Sequence, residues 1–439
     1  MSDKAKPNTK LSTESYKGVR DFYPEDMFVQ NYIFSVWKKV VERFGYVEYN
    51  ASILEPAELY KAKTGDEIVN EQTYTFTDRG DREVTLRPEM TPTVARMVAG
   101  KVHDLTFPLR WYSIPNLFRY EKPQRGRLRE HWQLNVDLFG VENSDADAEI
   151  ISVAYSIMKE FGAKDEDFVI KVNSRKLIND LYEKFELKED ERQTISKIID
   201  KKDKISVEAF EESLEKVMGN SNKDFARVLS SSERLLESLG KNKNADLLVE
   251  LIEKLDSSGI KNIVFSPTLM RGFDYYTGVI FEMFDMAPDN NRSLFGGGRY
   301  DDLLDIFGSK KVPAVGFGWG DVTNRDFLET HGLIPKYKSS SDLYLCTLAE
   351  ALLPQNSVND HAQKLAERLR KDGLNVSVNL TDKKVGEQIK LASKQGISFV
   401  VCIGEDEIKS GLYKLKDLET GEEKQVKAED IVRTIKNNA

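Results

Sequence analysis

Apolar residues in "EDMFVQNYIFSVWKKVVERF" (residues 25–44) recur at roughly helical spacing and Gly45 ends the run, which predicts an amphipathic helix. "YVEYNASILEP" then reads as an extended segment closed by Pro56. Beyond it, "QTYTFTDRGDREVTLRPEMT" alternates around "DRGD", the pattern of a hairpin. "TPTVARMVAGKV" predicts a helix capped by Thr91 with Pro92 in its first turn. "LRWYSIPNLFRYEK" and "REHWQLNVDLFGV" are both strand-like, joined through the cationic loop "KPQRGRLR".

The pattern changes near residue 175. To about residue 258 the chain is rich in Lys and Glu, lacks proline, and spaces Leu, Ile and Val as in "ADLLVELIEKL", so a helical insertion is expected over 175–258. Strand character returns in "NIVFSPTLMRGFDYYTGVIFEMFD", followed by "GGGRYDDLLDIFG" as a glycine turn into a helix and "AVGFGWGDVTNRDFLETHGLIP" as a strand entering a helix. From about residue 340, strands "DLYLCTL", "NVSVNL" and "SFVVCIG" alternate with helices "AQKLAERLRKDG", "VGEQIKLASKQG" and "AEDIVRTIKN". The expectation is a polar tail over 1–12, a first domain over 13–330 and an α/β domain over 340–439. No internal repeat is apparent.

Composition narrows the class. With 40% hydrophobic and 31% charged residues in 439, the chain reads as an ordinary globular protein of two or three domains. No apolar run approaches the roughly 20 residues that span a bilayer, and the polar start lacks a signal-type stretch, so the expected location is cytoplasmic. Cys346 and Cys402, far apart in sequence, form no CxxC, and the four histidines form no HxxxH, so neither a disulfide framework nor a metal site is expected. The net charge is −9, which does not exclude a nucleic-acid partner, because binding depends on where positive charge sits.

Within this acidic chain, "FRYEKPQRGRLREHWQLNVDLFG" (118–140) concentrates Arg119, Lys122, Arg125, Arg127 and Arg129. The arginine fork donates paired hydrogen bonds and stays charged, which suits a polyphosphate, and Glu121 two residues from Arg119 can accept from an exocyclic amine. On spacing alone a solvated basic loop remains the alternative. A second constellation joins it. "TLRPEMT" carries Glu89 and Thr91, "HWQLNVD" places Gln133, Asn135 and Asp137 on one strand face, and "RGFDYYTG" supplies Arg271, Asp274, Tyr275 and Tyr276. Carboxylate, amide, guanidinium and phenol are the groups that bind a zwitterionic amino acid, although a tyrosine pair on a strand is more often core.

These stretches resemble, from "KGVRDFYPEDM" nearly to the C-terminus, the histidyl-tRNA synthetases, a family of class II aminoacyl-tRNA synthetases. "ILEPAELY" is similar to the end of the first class II motif, "FRYE" with its arginine loop and "HWQLNVDLFG" to the second, "LMRGFDYYTG" to the histidine-specific stretch, and "DKKVGEQIKLASKQGISFVVCIGEDEIKSG" to the anticodon-binding domain. The resemblance implies an α+β fold, an antiparallel class II sheet with a helical insertion, followed by the α/β anticodon-binding domain. It implies activation of L-histidine by ATP with Mg²⁺, transfer to tRNA(His), no tightly bound cofactor, and a homodimer with Pro56 at its interface. By the same resemblance Arg119 holds the α-phosphate, Glu121 the adenine, and Arg125 and Arg127 the outer phosphates. Glu89, Thr91 and Gln133 hold the ammonium group, Asp137 and Tyr276 read the imidazole beside Tyr275, and Arg271 is the catalytic cation between carboxylate and α-phosphate.

One departure stands out. The third class II motif ends in Gly-x-Glu-Arg, whereas "GFGWGDVTNRDFL" has Val322 and Thr323 at the last two positions, leaving Arg325 or Arg299 as substitutes for the arginine. The departure keeps two alternatives open: a regulatory subunit of ATP phosphoribosyltransferase, which shares the core without activating an amino acid, and a synthetase-like tRNA-binding module without catalysis.

Overall fold

In the computed structural model, which describes residues 11–61, 72–202, 205–270, 275–290, 292–348 and 355–438, the first apolar run forms the helix Pro24–Arg43. It buries Ile33, Trp37, Val40 and Val41, so this helix belongs to the core of its own chain. The protein divides into two compact units, Met1–Ile334 and Pro335–Ala439.

The first unit is built on a nine-stranded sheet. Its strands are β1 (Val47–Glu48), β5 (Leu109–Ser113), β6 (Asn116–Phe118), β7 (Glu130–Phe139), β8 (Phe168–Ser174), β9 (Ile263–Phe265), β10 (Val279–Asp285), β11 (Ser293–Arg299) and β12 (Ala314–Gly320). The order is β1-β5-β7-β12-β11-β10-β8-β9, with β6 paired to β7. The pairings from β5 through β8 are all antiparallel, and only the edge strands β1 and β9 join in parallel. A smaller sheet of β2 (Leu54–Pro56), β3 (Tyr74–Thr77) and β4 (Glu83–Leu86) carries the "DRGD" hairpin.

Alternation along each strand decides what each sheet face does. Leu134, Val136, Val315, Phe317, Phe295 and Trp319 enter the main core with the helices Pro24–Arg43 and Ser144–Glu160. Trp319 stacks on Phe295 at 4.2 Å between ring centroids and leans on Trp37 at 6.1 Å. The residues between them, Gln133, Asn135, Asp137, Gly316, Gly318, Gly296 and Gly298, therefore face the other way.

Two expectations change here. The glycines of "GGGRYDD" do not turn into a helix but lie inside β11, with only a 3-10 turn, Leu303–Phe307, after them. The reason is close packing, since a Cβ at Gly298 would come within 2.7 Å of the Val279 carbonyl on β10. Thr91 is the first residue of the helix Thr91–Gly100 rather than its cap, a position taken by Met90.

Among the described residues six α-helices lie between β8 and β9, from Arg175–Lys184 to Lys243–Ser257; five bury leucine or isoleucine side chains, and Asn222–Val228 buries Phe225 and Val228 instead. The second unit has a separate five-stranded sheet, in the order β14-β13-β15-β16-β17. Its strands are β13 (Leu343–Thr347), β14 (Val376–Val378), β15 (Phe399–Ile403), β16 (Leu412–Asp417) and β17 (Glu423–Lys427). The first three run parallel and the last two return antiparallel.

Candidate functional site

Strand register lays the polar residues and the glycines side by side. Asp137 pairs with Gly316, which pairs with Gly298; Asn135 pairs with Gly318, which pairs with Gly296. The result is a polar row on β7 beside a trough with no side chains on β12 and β11. The trough is obligatory. A Cβ at Gly316 would lie 2.5 Å from Asp137 Oδ1, and one at Gly318 would lie 2.8 Å from the Gln133 side-chain amide. Over this floor the structure forms a cavity bordered by Glu89, Thr91, Arg119, Gln133, Tyr275 and Tyr276, together with Asn135 and Tyr300.

The floor is dry. Asp137 is 3% exposed, and burial pushes its carboxyl up to about 7, partly offset by the hydrogen bond it accepts from Tyr300 Oη. Tyr275, Tyr276 and Tyr300 form an aromatic wall with centroids 5.0–6.4 Å apart, and burial raises all three phenols. Tyr275 Oη donates to Glu89 Oε2 at 2.9 Å, fixing a carboxylate that is only 2% exposed. Tyr300, from "GGGRYDD", is not among the residues the sequence pattern predicts for the site. The signal available is its position two residues after the last in-strand glycine, Gly298.

At the mouth the arginines separate by task. The predicted long loop is a hairpin continued from β6 and β7, closed by a turn over Gln124–Arg127 with Gly126 at φ 77°. Arg119 lies one residue past β6; its Nε donates to the Pro88 carbonyl at 2.8 Å, aiming the guanidinium at the cavity it lines. Arg127 lies 3.5 Å from Glu121 and Arg119 lies 4.0 Å from it, so the acidic residue is held between two cations. Arg125 does not border the cavity. It is fastened to Asp326 at 2.7 Å and to Thr330 at 3.3 Å, on the helix Asp321–Thr330. Arg129 is structural: it donates to the Glu121 carbonyl and to Tyr16 Oη, and lies 4.0 Å over the Tyr120 ring. His131, on the strand face of Gln133, was read only as one of four scattered histidines. Burial and the neighbouring Arg119 and Arg20 push it down to about 3, so it is a neutral ring.

The altered third motif is occupied by a structural tie. Asp321, fully buried, accepts from Arg20 at 2.7 Å, Gln30 at 3.0 Å and the Trp132 backbone N–H at 2.9 Å. Thr323 donates to the Gly320 carbonyl at 3.1 Å. Neither expected substitute for the missing arginine is available: Arg325 pairs with Asp26 and Glu329, and Arg299 is buried against Asp147. Arg271 and Asp274 lie outside the described residues.

Residues 18–320 match the family described as histidyl-tRNA synthetase, and residues 343–438 match the one described as anticodon binding domain. The chain belongs to the histidyl-tRNA synthetase family. It is 44% identical to a histidine–tRNA ligase of Leptospira biflexa over 93% of this chain and 94% of that one. It is also 37% identical to a histidine–tRNA ligase of Thermoplasma volcanium, over 96% and 98%. Its fold matches the crystal structure of histidyl-tRNA synthetase from a Nostoc species with a TM-score of 0.82 at 24% identity, covering 98% of this chain and all of that one. As a histidyl-tRNA synthetase family member it has the aminoacyl-tRNA synthetase architecture of an antiparallel core followed by an anticodon-binding domain.

Proposed function

We propose that this chain activates L-histidine with ATP to histidyl-adenylate and pyrophosphate, then transfers the histidyl group to the terminal adenosine hydroxyl of tRNA(His). The observation that carries the reading is the glycine-floored cavity, which groups Glu89, Thr91, Gln133 and Arg119 with Tyr300, whose hydroxyl donates to the buried Asp137.

In this proposal the amino acid lies along the trough. Its ammonium meets Glu89, Thr91 and Gln133, and its imidazole reaches Asp137 and Tyr276, an acceptor and an amphoteric hydroxyl that suit two ring nitrogens. Tyr275 holds Glu89 in place for this contact. Arg119 and Arg271 offset the charge that builds as the carboxylate attacks the α-phosphate in line, since preorganised cations act most strongly where water is excluded. Glu121 accepts from the adenine amine. Arg127, and Arg125 once released from Asp326, reach the outer phosphates. Among the described residues no group of three or more His, Cys, Asp or Glu side chains is arranged to hold a metal, so we assign Mg²⁺ to the ATP phosphates as part of the substrate.

The second unit would hold the tRNA anticodon and the helices of 175–257 its acceptor arm. We assign the protein to the cytoplasm, in line with the lack of any helix among the described residues long and apolar enough to cross a membrane. A homodimer fits the exposed Val47, Leu54 and Phe76 on β1, β2 and β3, with Pro56 beside them. The helix Pro24–Arg43 makes no case for it, because its apolar stripe is internal. The regulatory-subunit reading gives no role to the matched anticodon domain, and the binding-module reading gives none to the cavity.

Amino-acid-dependent ATP–pyrophosphate exchange without tRNA tests the reading. Exchange with histidine alone among the twenty amino acids is expected. No exchange from a protein that still binds histidine or tRNA would replace it with a non-catalytic role.

A further inference from the structure

The two cysteines of this chain, 56 positions apart in sequence, are opposite one another in the second unit. Cys346 on β13 is in register with Cys402 on the parallel neighbour β15. Both side chains belong to one small cluster with Tyr344, Ala392, Ile397 and Val400, beneath the helix Val385–Lys394. Cys346 is buried and Cys402 partly exposed, and both are free thiols. Cα atoms of paired strands lie about 4.8 Å apart. That is inside the roughly 4.4–6.8 Å range a disulfide spans.

We propose that Cys346 and Cys402 are a reversible redox modification site, converted by a hydroperoxide into a disulfide that staples β13 to β15 and weakens tRNA binding by this unit. The functional half rests on the tRNA-binding reading above; the chemical half does not. Cys402 is the sulfur that meets peroxide first. It is the more exposed, and the hydrogen bond from Cys346 holds its thiol below the usual range while raising that of Cys346. The Cys402 thiolate attacks one peroxide oxygen, the O–O bond breaks, and hydroxide leaves and takes up a proton as water. The Cys346 sulfur then attacks the Cys402 sulfenic acid; the S–S bond forms, the S–O bond breaks, and the Cys346 proton departs in a second water. Two thiols and one hydrogen peroxide give one disulfide and two waters.

The staple acts one residue from a binding edge. Thr347, next to Cys346, holds the helix Val385–Lys394 through a pair of hydrogen bonds with Gln388: its N–H donates to Oε1 and its carbonyl accepts from Nε2, both at 2.9 Å. Thr347 Oγ1 also accepts from Asn379 at 3.0 Å, on the segment after β14. The carboxyl ends of β13 and β15 lie where the strand order reverses, the place at which open α/β sheets receive ligands. Two side chains projecting side by side from one sheet face can join only by bending both strands, and strained disulfides are reduced readily, which makes the change reversible.

The test uses the full chain, fully reduced and then exposed to hydrogen peroxide. Titratable thiols should fall from two to none, a Cys346–Cys402 cross-linked peptide lighter by two hydrogens should appear, and dithiothreitol should restore both. In Cys346→Ser, dimedone should trap a sulfenic acid on Cys402. Oxidation should raise the KM for tRNA about fivefold or more, leave histidine-dependent pyrophosphate exchange unchanged, and have no effect on Cys402→Ser. Surviving thiols, loss only to sulfinic acid or intermolecular cross-links, or a disulfide with an unchanged KM for tRNA would each overturn the proposal. A reduced protein that charges no tRNA would instead remove the functional reading, while the thiol titration and the peptide mass would still report on the pair.

Discussion

Asp137, on the strand beside the glycine trough, and Arg125, at the hairpin tip, are both ionisable groups predicted for the site, and the chain holds them in opposite ways. Asp137 is buried, bonded by Tyr300 and flanked by the glycine backbone of β12 and by β5. Arg125 is exposed and engages Asp326 through a single ion pair across 201 positions of sequence. An exposed pair of this kind is weak and is screened by salt. A buried carboxyl with a perturbed proton affinity is set by the fold itself. In the proposed reading the amino-acid pocket is therefore preorganised, whereas the nucleotide arm would be held by contacts it can exchange for phosphates.

The pH dependence of stability gives the largest test of that contrast. Asp137 has an ordinary value of 3.8 and a folded value of about 7, so its contribution to folding is fully present below 3.8 and lost as pH rises to about 7. The difference corresponds to on the order of 4 kcal/mol. Asp137→Asn should therefore gain stability relative to the parent between about pH 4 and pH 8, read from denaturant midpoints. Parallel pH profiles for the two proteins would mean that the floor is wetter than its burial implies. Gly316→Ala places a methyl group against Asp137 and should lower kcat/KM for histidine roughly 100-fold, as expected for a displacement near 1 Å, with little change in the KM for ATP. Equal loss on both substrates would erase the distinction between floor and mouth.

At the mouth the expected effects are smaller. Asp326→Ala frees Arg125 and should change the KM for ATP less than about tenfold, downward, because one pair no longer competes with phosphate. An increase would show that Asp326 positions Arg125 rather than storing it. Arg325→Ala should change the KM for ATP less than about twofold, since Arg325 is already committed to Asp26 and Glu329. A tenfold rise would return it to the role left vacant by Thr323.

Periodicity made the main elements legible, because the helix Pro24–Arg43, the paired strands around the basic hairpin and the alternating second unit each carry one dominant hydrophobic repeat. The candidate site residues were legible as residue types, and Glu89, Thr91, Arg119, Gln133, Tyr275 and Tyr276 do border one cavity. Three things were hidden for physical reasons. The in-strand glycines looked like a turn because the need for them comes from a neighbouring strand, not from local backbone preference. Tyr300 was silent because its partner Asp137 is 163 positions away. Arg325 seemed available because its ion pair with Asp26 spans 299 positions.

The Asp321 tie also sets an order in time. Arg20 and Gln30 leave the ribosome early, while the carboxylate that joins them to β7 is made about 300 residues later. The central strand β12, which supplies Gly316 and Gly318, is equally late. Until then the nascent chain holds β7 with one edge unpaired and its polar row without a floor, a state that non-local pairing keeps slow to resolve. Competence in this protein thus arrives near the end of the first unit's synthesis, and a chain interrupted before residue 314 would expose a sheet edge with nothing to bind.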